Sequence, residues 1–174
     1  PLIMSESSIQ MEISCALAFL KQQLEDEKHK GIKACLVICG YTLHELSGFA
    51  AKLKIPLLDG NRSLDEGSLF ISDLENIKGF EFHTVCIVNC SKNILPYIGS
   101  PEKERFRDLA RLYVAMTRSQ KQLVLSYHNE KSFFLINTGS YFLEGEWNEY
   151  LLKDYPEIDY GCPDHLENIR KENS

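Results

Sequence analysis

Short apolar stretches without polar alternation constrain the fold of this chain more than any other feature of its sequence. They comprise residues 33–39 (KACLVIC), 84–90 (TVCIVNC) and 122–127 (QLVLSY), and residues 68–74 (SLFISDL) are predicted as a further strand. A strand that is apolar at every position is buried on both faces, which is typical of parallel sheets covered by helices. Segments with helical spacing separate the strands, so the connections are crossovers. The sequence therefore predicts an α/β fold with a mostly parallel sheet.

Helices are predicted over residues 5–28, 42–54 and 102–119. The first opens on SESS, a helix-start signal, and the second stops before Pro56. The third has one apolar face, which we expect to pack on the sheet. That face consists of Leu109, Leu112, Tyr113 and Met116.

The chain is predicted to divide into a domain over residues 1–130 and a C-terminal extension over residues 131–174. In the extension, FFLI at 133–136 is a candidate edge strand. Trp147, Tyr150 and Leu151 have the spacing of a short amphipathic helix. The last dozen residues are polar, and we expect them to be loose.

Composition narrows the class of protein. No apolar run approaches the roughly 20 residues of a membrane-spanning helix, and a secretory signal is absent, so we expect a cytoplasmic protein without a membrane partner. The net charge of −6 disfavours a broad nucleic-acid surface, so any such contact is local or is completed by another domain. The six cysteines lack CxxC spacing and are predicted to be buried, reduced thiols, with no metal site.

A first candidate site lies at residues 77–82, Ile-Lys-Gly-Phe-Glu-Phe, between two predicted strands. Ligands of parallel sheets bind beyond the carboxyl ends of the strands, and we expect this loop to lie there. Gly79 lets the backbone approach a ligand, while Lys78 and Glu81 supply opposite charges. The alternative for such a tetrapeptide is a surface turn with a solvated ion pair.

A second candidate site lies on the third predicted helix. Arg107, Arg111 and Arg118 form a stripe that is predicted to be a solvated basic face. Arg118 differs by position, because it lies where the helix ends before the next strand. From there its guanidinium could reach a phosphate supplied by a neighbouring domain.

Together the two segments resemble signature motifs of the UvrD/Rep/PcrA helicases of superfamily I. KGFEF is similar to that family's KGLEF, and RLYVAMTRSQKQLVLSY is similar to its LLYVALTRAKxxLxLS pattern. The proline loop between those motifs corresponds to Leu95-Pro96. The resemblance is specific from about residue 68 to residue 127.

The resemblance implies a RecA-like three-layer fold of the P-loop NTPase type. The chain lacks GxxxxGK[ST], so it would be the second motor domain, without the Walker A loop. ATP and Mg²⁺ would be held mainly by an N-terminal RecA-like domain, and the pair of domains would move along single-stranded DNA, in the 3′→5′ direction according to the KGxEF form. The isolated chain is expected to be inactive as an ATPase.

Site roles also follow from the resemblance. Arg118 would be the catalytic arginine finger, which together with Gly79 and Glu81 would contact the nucleotide. Glu81 would touch the sugar, and Gly79 would shape the loop. Asn76 and Lys78 would lie on the nucleic-acid track.

Some positions depart from the family pattern. Asp73 and Glu75 occupy the positions of a Thr-x-His motif, where carboxylates would repel a phosphate backbone, and Ala110 replaces a common arginine. These departures favour an alternative, in which a degenerate RecA-like domain serves as a non-catalytic interaction or regulatory module. A stand-alone nucleotide or redox enzyme is a third possibility, with no glycine-rich loop or CxxC pair in its support, and no histidine has an obvious Ser or Cys partner in the sequence.

Overall fold

A computed structural model describes residues 1–26, 31–60, 64, 67–136, 138 and 141–151. The strands are β1 (Leu2–Glu6), β2 (Ala34–Ile38), β3 (Leu69–Ser72), β4 (Phe82–Val88), β5 (Ser119–His128) and β6 (Leu143–Glu146). The helices are α1 (Ile9–Asp26), α2 (Leu43–Leu53), α3 (Glu102–Met116) and α4 (Phe133–Ile136), followed by a 3₁₀ helix, Trp147–Glu149.

The strands form one six-stranded sheet in the order β3-β2-β4-β5-β1-β6. Every neighbouring pair runs parallel. One apolar cluster joins α1 and α2 to one face of the sheet, and a second joins α3 and α4 to the other. The predicted α/β fold with its three layers is therefore confirmed, and the buried strands β2 and β4 are those with continuous apolar runs.

Local capping explains where α2 begins. The Thr42 hydroxyl accepts a hydrogen bond from the Glu45 N–H, and the Glu45 carboxylate accepts one from the Thr42 N–H at 2.7 Å. This reciprocal capping box satisfies two N–H groups that the first turn leaves without partners.

The N-terminus differs from the prediction. Residues 2–6 form β1, which lies between β5 and β6, and the first helix begins at Ile9 instead of Ser5. Leu2, Ile3 and Met4 are buried between the two helical layers. Three apolar residues at the start of a chain are too short a run to distinguish a strand from the approach to a helix.

The described part of the extension also differs from the prediction. Residues 133–136 form α4 and not an edge strand, while β6 forms that edge by pairing with β1. Trp147 is buried with its ring 5.9 Å from that of Phe19, and Tyr150 and Leu151 pack on the same cluster. A 3₁₀ turn replaces the expected amphipathic helix, and the last dozen residues lie outside the described part. The boundary at residue 130 stays a prediction.

The orientation of α3 corrects the predicted packing face. Of the four residues predicted to pack on the sheet, Leu112 is buried and Met116 packs on the same cluster, whereas Leu109 is 42% exposed and Tyr113 is 66% exposed. Ala115, which was not in the predicted set, is buried with Leu112. The short Ala115 side chain allows close contact with the sheet, so the helix turns its larger apolar residues outward. Phe106, Leu109 and Tyr113 thus form an exposed apolar stripe.

The cysteines agree with the prediction wherever the structure describes them. Cys15, Cys35, Cys39, Cys86 and Cys90 are buried free thiols, and Cys162 lies outside the described residues. Burial, with the Glu6 carboxylate adding to it, raises the pKa of Cys15 to about 12. Within the described residues, no group of three or more His, Cys, Asp or Glu side chains could hold a metal ion. Among the helices of this part of the chain, none is long and apolar enough to cross a membrane.

Candidate functional site

The two sequence motifs meet where β4 and β5 begin, which we call the amino end of the sheet. Glu81 directly precedes β4, and Arg118 directly precedes β5. The Phe82 N–H donates a hydrogen bond to the Arg118 carbonyl at 2.8 Å, so the motifs are joined through their backbones. The contact is a consequence of the parallel pairing of β4 with β5.

This position corrects one expectation. The KGFEF segment lies at the amino end of β4 and not beyond the carboxyl ends of the strands. The loop leaves the carboxyl end of β3 at Asp73, but a crossover must return to the opposite end of the sheet before a parallel strand can begin. Only the start of the loop therefore lies at the carboxyl end of the sheet, the end at which β2, β3, β4 and β5 finish.

The backbone conformation at position 79 requires a glycine. Its φ is +88°, in the region that side chains rarely adopt, yet an added Cβ would meet no atom within 4 Å. The residue therefore permits a tight turn between Lys78 and Glu81, both of which are exposed.

Glu81 contacts a neutral partner. Its Oε2 accepts a hydrogen bond from Gln120 Nε2 at 2.9 Å. In the described part of the chain no ion pair joins Glu81 to Lys78 or to Arg118. The surface ion pair that we considered for this loop is thus not the arrangement of these side chains, and Glu81 keeps its negative charge uncompensated by either cation.

Arg118 is half-buried and also contacts neutral groups. Its Nε donates to the Val114 carbonyl at 3.2 Å, and an Nη atom donates to the Thr117 hydroxyl at 3.2 Å. The Thr117 hydroxyl in turn donates to Val114 at 2.7 Å. These oxygens lie at the C-terminal end of α3, where the helix dipole favours a cation. They orient the guanidinium without an acidic partner, so its charge can act on an external anion.

Asn76 lies in a turn at the carboxyl end of β3. Its side-chain amide donates to both carboxylate oxygens of Asp73, at 2.9 and 3.0 Å. Asp73 Oδ1 also accepts from the backbone N–H groups of Glu75 and Asn76. This is an Asx turn, in which a carboxylate satisfies backbone donors. Asp73 is therefore a structural residue of the turn, and the Asn76 amide is engaged with it.

Arg111 and Glu75 form a further pair near this turn. An Nη atom of Arg111 lies 3.0 Å from Glu75 Oε2, and the other lies 3.4 Å from Asp108 Oδ1. The arginine stripe on α3 is thus not uniformly solvated, because Arg111 is in ion pairs. Arg111 and Glu75 line a groove of about 360 Å³ together with Asp73, Tyr41 and Arg107.

A buried polar network at the carboxyl end of the sheet was not predicted. Glu12, in the first turn of α1, is fully buried. Its Oε2 accepts from the Asn89 N–H at 2.9 Å, and its Oε1 lies 2.6 Å from His128 Nδ1. The Asn89 amide donates to the Cys39 carbonyl at 2.8 Å, so one network ties α1 to the ends of β2, β4 and β5. A lone carboxylate within the apolar stripe of α1 was the only sequence signal for it.

The network has the residue types of a serine hydrolase triad but not its geometry. Ser91 Oγ lies 3.1 Å from His128 Nδ1, the same nitrogen that contacts Glu12. A triad needs the serine and the carboxylate on opposite ring nitrogens, so that one nitrogen takes the serine proton while the carboxylate orients the ring through the N–H of the other. Ser91 is also buried and unavailable to a substrate. We conclude that the network is structural.

The fold and the paired motifs define the class of a RecA-like motor domain without a phosphate loop. A profile of the UvrD-like helicase C-terminal domain matches residues 12–130, and the chain belongs to that family. The matched range contains both motifs and the whole of strands β2 to β5, with their amino and carboxyl ends.

One known structure agrees on the fold. The C-terminal domain of a possible DNA helicase from Lactobacillus plantarum WCFS1 superposes with a TM-score of 0.57 at 18% identity, over 83% of this chain and 84% of that chain. The C-terminal part of the Fun30 ATPase domain gives a TM-score of 0.32 at 15% identity, over 89% of this chain and 53% of that chain, a similarity too low to argue from. No curated protein sequence matches the chain.

Proposed function

We propose that this chain is the C-terminal motor domain of an ATP-dependent DNA helicase or translocase that moves 3′→5′ on single-stranded DNA. In this proposal an N-terminal RecA-like domain carries the Walker A loop and holds most of the ATP and its Mg²⁺. The present chain closes the site from the other side. Family membership supports a helicase motor domain, and the absence of GxxxxGK[ST] supports the division of labour.

One observation carries the proposal. Glu81 and Arg118 come from separate motifs, yet a backbone hydrogen bond of 2.8 Å between Phe82 and Arg118 holds them at the same end of the sheet. A guanidinium without an acidic partner suits the charge that develops on a transferring γ-phosphoryl group. A carboxylate suits the hydroxyl groups of the nucleotide sugar. The two chemical groups that a nucleotide presents thus have matching partners here.

In the proposed site Arg118 is the arginine finger, Glu81 binds the sugar and Gly79 sets the turn that precedes Glu81. Asn76 and Lys78 belong to the nucleic-acid track. Lys78 is exposed and can reach a phosphate, whereas Asn76 must contact the strand from within its turn. The ion pair with Arg111 compensates the charge of Glu75, which removes one objection to this track.

Replacement of Arg118 tests the proposal in the intact protein that carries both motor domains. Arg118→Ala should lower the DNA-stimulated ATPase rate ~10²-fold or more and change ATP affinity little, since an arginine finger acts mainly on the transition state. Arg105→Ala is the matched control, because it removes a guanidinium from the first turn of α3, at the opposite end of the helix from Arg118. The isolated 174-residue chain should show negligible ATPase activity. An unchanged rate for Arg118→Ala, or turnover by the isolated chain, contradicts the proposal.

A second candidate function rests on a different surface. Phe106 and Leu109 of the exposed stripe line an apolar groove of about 540 Å³. Tyr97, Ile98 and Phe133 line it as well. Exposed apolar patches of this kind mark protein-interaction surfaces. This groove favours the alternative of a non-catalytic interaction module, which an unchanged ATPase rate in Arg118→Ala would support.

A further inference from the structure

The sheet is irregular at the point where the two motifs meet. β4 and β5 pair Phe82 with Ser119, but the next pairing is Thr84 with Gln122. Gln120 and Lys121 therefore stand opposite the single residue His83, which is the arrangement of a β-bulge. Bulges break the alternation of side chains and redirect one of them, and they are frequent beside active sites.

The bulge explains the direction of the Gln120 side chain. Gln120 and Lys121 are both exposed, although neighbouring residues of a regular strand point to opposite faces. From this position Gln120 Nε2 donates to Glu81 Oε2 at 2.9 Å across the gap between the strands. The side chains of Glu81 and Gln120 have no other hydrogen bond with the described residues.

The hydrogen bond between Gln120 and Glu81 joins a neutral amide to a carboxylate. A glutamine amide orients a carboxylate without neutralising it, whereas a lysine or arginine would compensate its charge. Glu81 and Arg118 have opposite charges and precede adjacent strands, yet each contacts a neutral group instead of the other. An ion pair between them would withdraw both groups from a bound nucleotide.

We propose that Gln120 is a positioning residue: its amide directs the Glu81 carboxylate toward the nucleotide sugar and keeps it apart from Arg118. This inference rests on the proposed function, because it assigns to Glu81 a sugar that the composite site must hold. It adds a determinant of sugar selectivity to the second motif, two residues after Arg118.

The test compares ATP with 2′,3′-dideoxy-ATP as substrates of the intact two-domain protein. Gln120→Ala should reduce the ratio of the two kcat/KM values ~5-fold, the value of one hydrogen bond, through KM for ATP and not through kcat. Gln120→Glu should reduce the ratio further, because a second carboxylate repels Glu81. Lys121→Ala, at the other bulge position, should preserve it.

Glu81→Ala separates the failure of this inference from the failure of the proposed function. If Glu81→Ala abolishes the preference for ATP while Gln120→Ala retains it, the positioning role is overturned and the sugar contact stands. If Glu81→Ala itself retains the preference, the sugar contact and the inference both fail. General destabilisation by Gln120→Ala would lower both kcat/KM values together and leave their ratio unchanged, which also contradicts the positioning role.

Discussion

At the amino end of the sheet, Glu81 and Arg118 have one or two hydrogen bonds each and no ionic partner, whereas at the carboxyl end the charged side chains are held by a basic partner or by several N–H donors. Glu12 contacts His128, Glu75 contacts Arg111, and Asp73 accepts three N–H groups. An uncompensated charge is available to an external ligand, while a compensated one contributes to the fold. The two ends of the same sheet therefore differ in the partners of their charged side chains, as expected if the proposed ligand site lies at the amino end.

The comparison also accounts for the departures from the family pattern. Asp73 and Glu75 looked incompatible with a nucleic-acid track when judged by charge alone. In the structure both lie in the part of the loop where charges have internal partners. The residues that match the family, Gly79, Glu81 and Arg118, lie at the other end. Substitution at the carboxyl end should therefore change stability, and substitution at the amino end should change turnover.

The largest effect on stability is expected from Glu12→Ala. It leaves the Asn89 N–H and the His128 imidazole without their buried acceptor, which should lower the free energy of unfolding by about 3 kcal/mol. Denaturant unfolding of the 174-residue chain measures it, with Glu25→Ala on the exposed side of α1 as the control. A loss no greater than that of the control would show that the network does not stabilise the carboxyl end.

A smaller effect is expected from Asp73→Ala, which removes the acceptor of the Asx turn. Two backbone N–H groups lose their partner, and the free energy of unfolding should fall by about 1.5 kcal/mol. Asp73→Asn retains one acceptor oxygen and should lose less than half as much in the same unfolding experiment. Equal losses for the two variants would mean that the charge of Asp73, and not its acceptor geometry, holds the turn.

The smallest effect is expected from Glu75→Gln. The Glu75–Arg111 pair is solvent-exposed, so its loss should change the free energy of unfolding by less than about 0.5 kcal/mol, and less in high salt. Unfolding at two salt concentrations measures this. A loss above about 1 kcal/mol that does not depend on salt would show that the pair behaves as a buried interaction.

The features of the fold and the site that could be predicted were those whose interacting residues lie close together in the sequence. The apolar runs of β2 and β4 and the two motifs are local patterns, and they predicted the fold and the joint site. The contacts of Glu12 with Asn89 and His128 span 77 and 116 residues, and no local pattern records them. The predictions for β1 and α4 were wrong for a different reason. Segments of five and four residues have too few positions to show a period.

The end of the sheet on which the KGFEF loop lies was mispredicted because a loop between strands touches both ends. Only the register of β4 with β5 decides which residues of the loop lie beside Arg118. The exposed stripe on α3 was missed because helical spacing identifies an apolar face without stating which face meets the sheet. In the structure the face of α3 that meets the sheet is the one with Leu112 and Ala115.

We propose that the amino end of the sheet serves turnover and that the carboxyl end serves stability. Both roles are tested by measuring the DNA-stimulated kcat of the intact protein and the unfolding free energy of this domain for Arg118→Ala and Glu12→Ala side by side. We expect Arg118→Ala to lower kcat ~10²-fold with almost unchanged stability. We expect Glu12→Ala to destabilise the domain by about 3 kcal/mol while the folded protein keeps a kcat close to that of the wild type. A normal kcat in Arg118→Ala, or a kcat in folded Glu12→Ala reduced as much as in Arg118→Ala, would contradict this proposal.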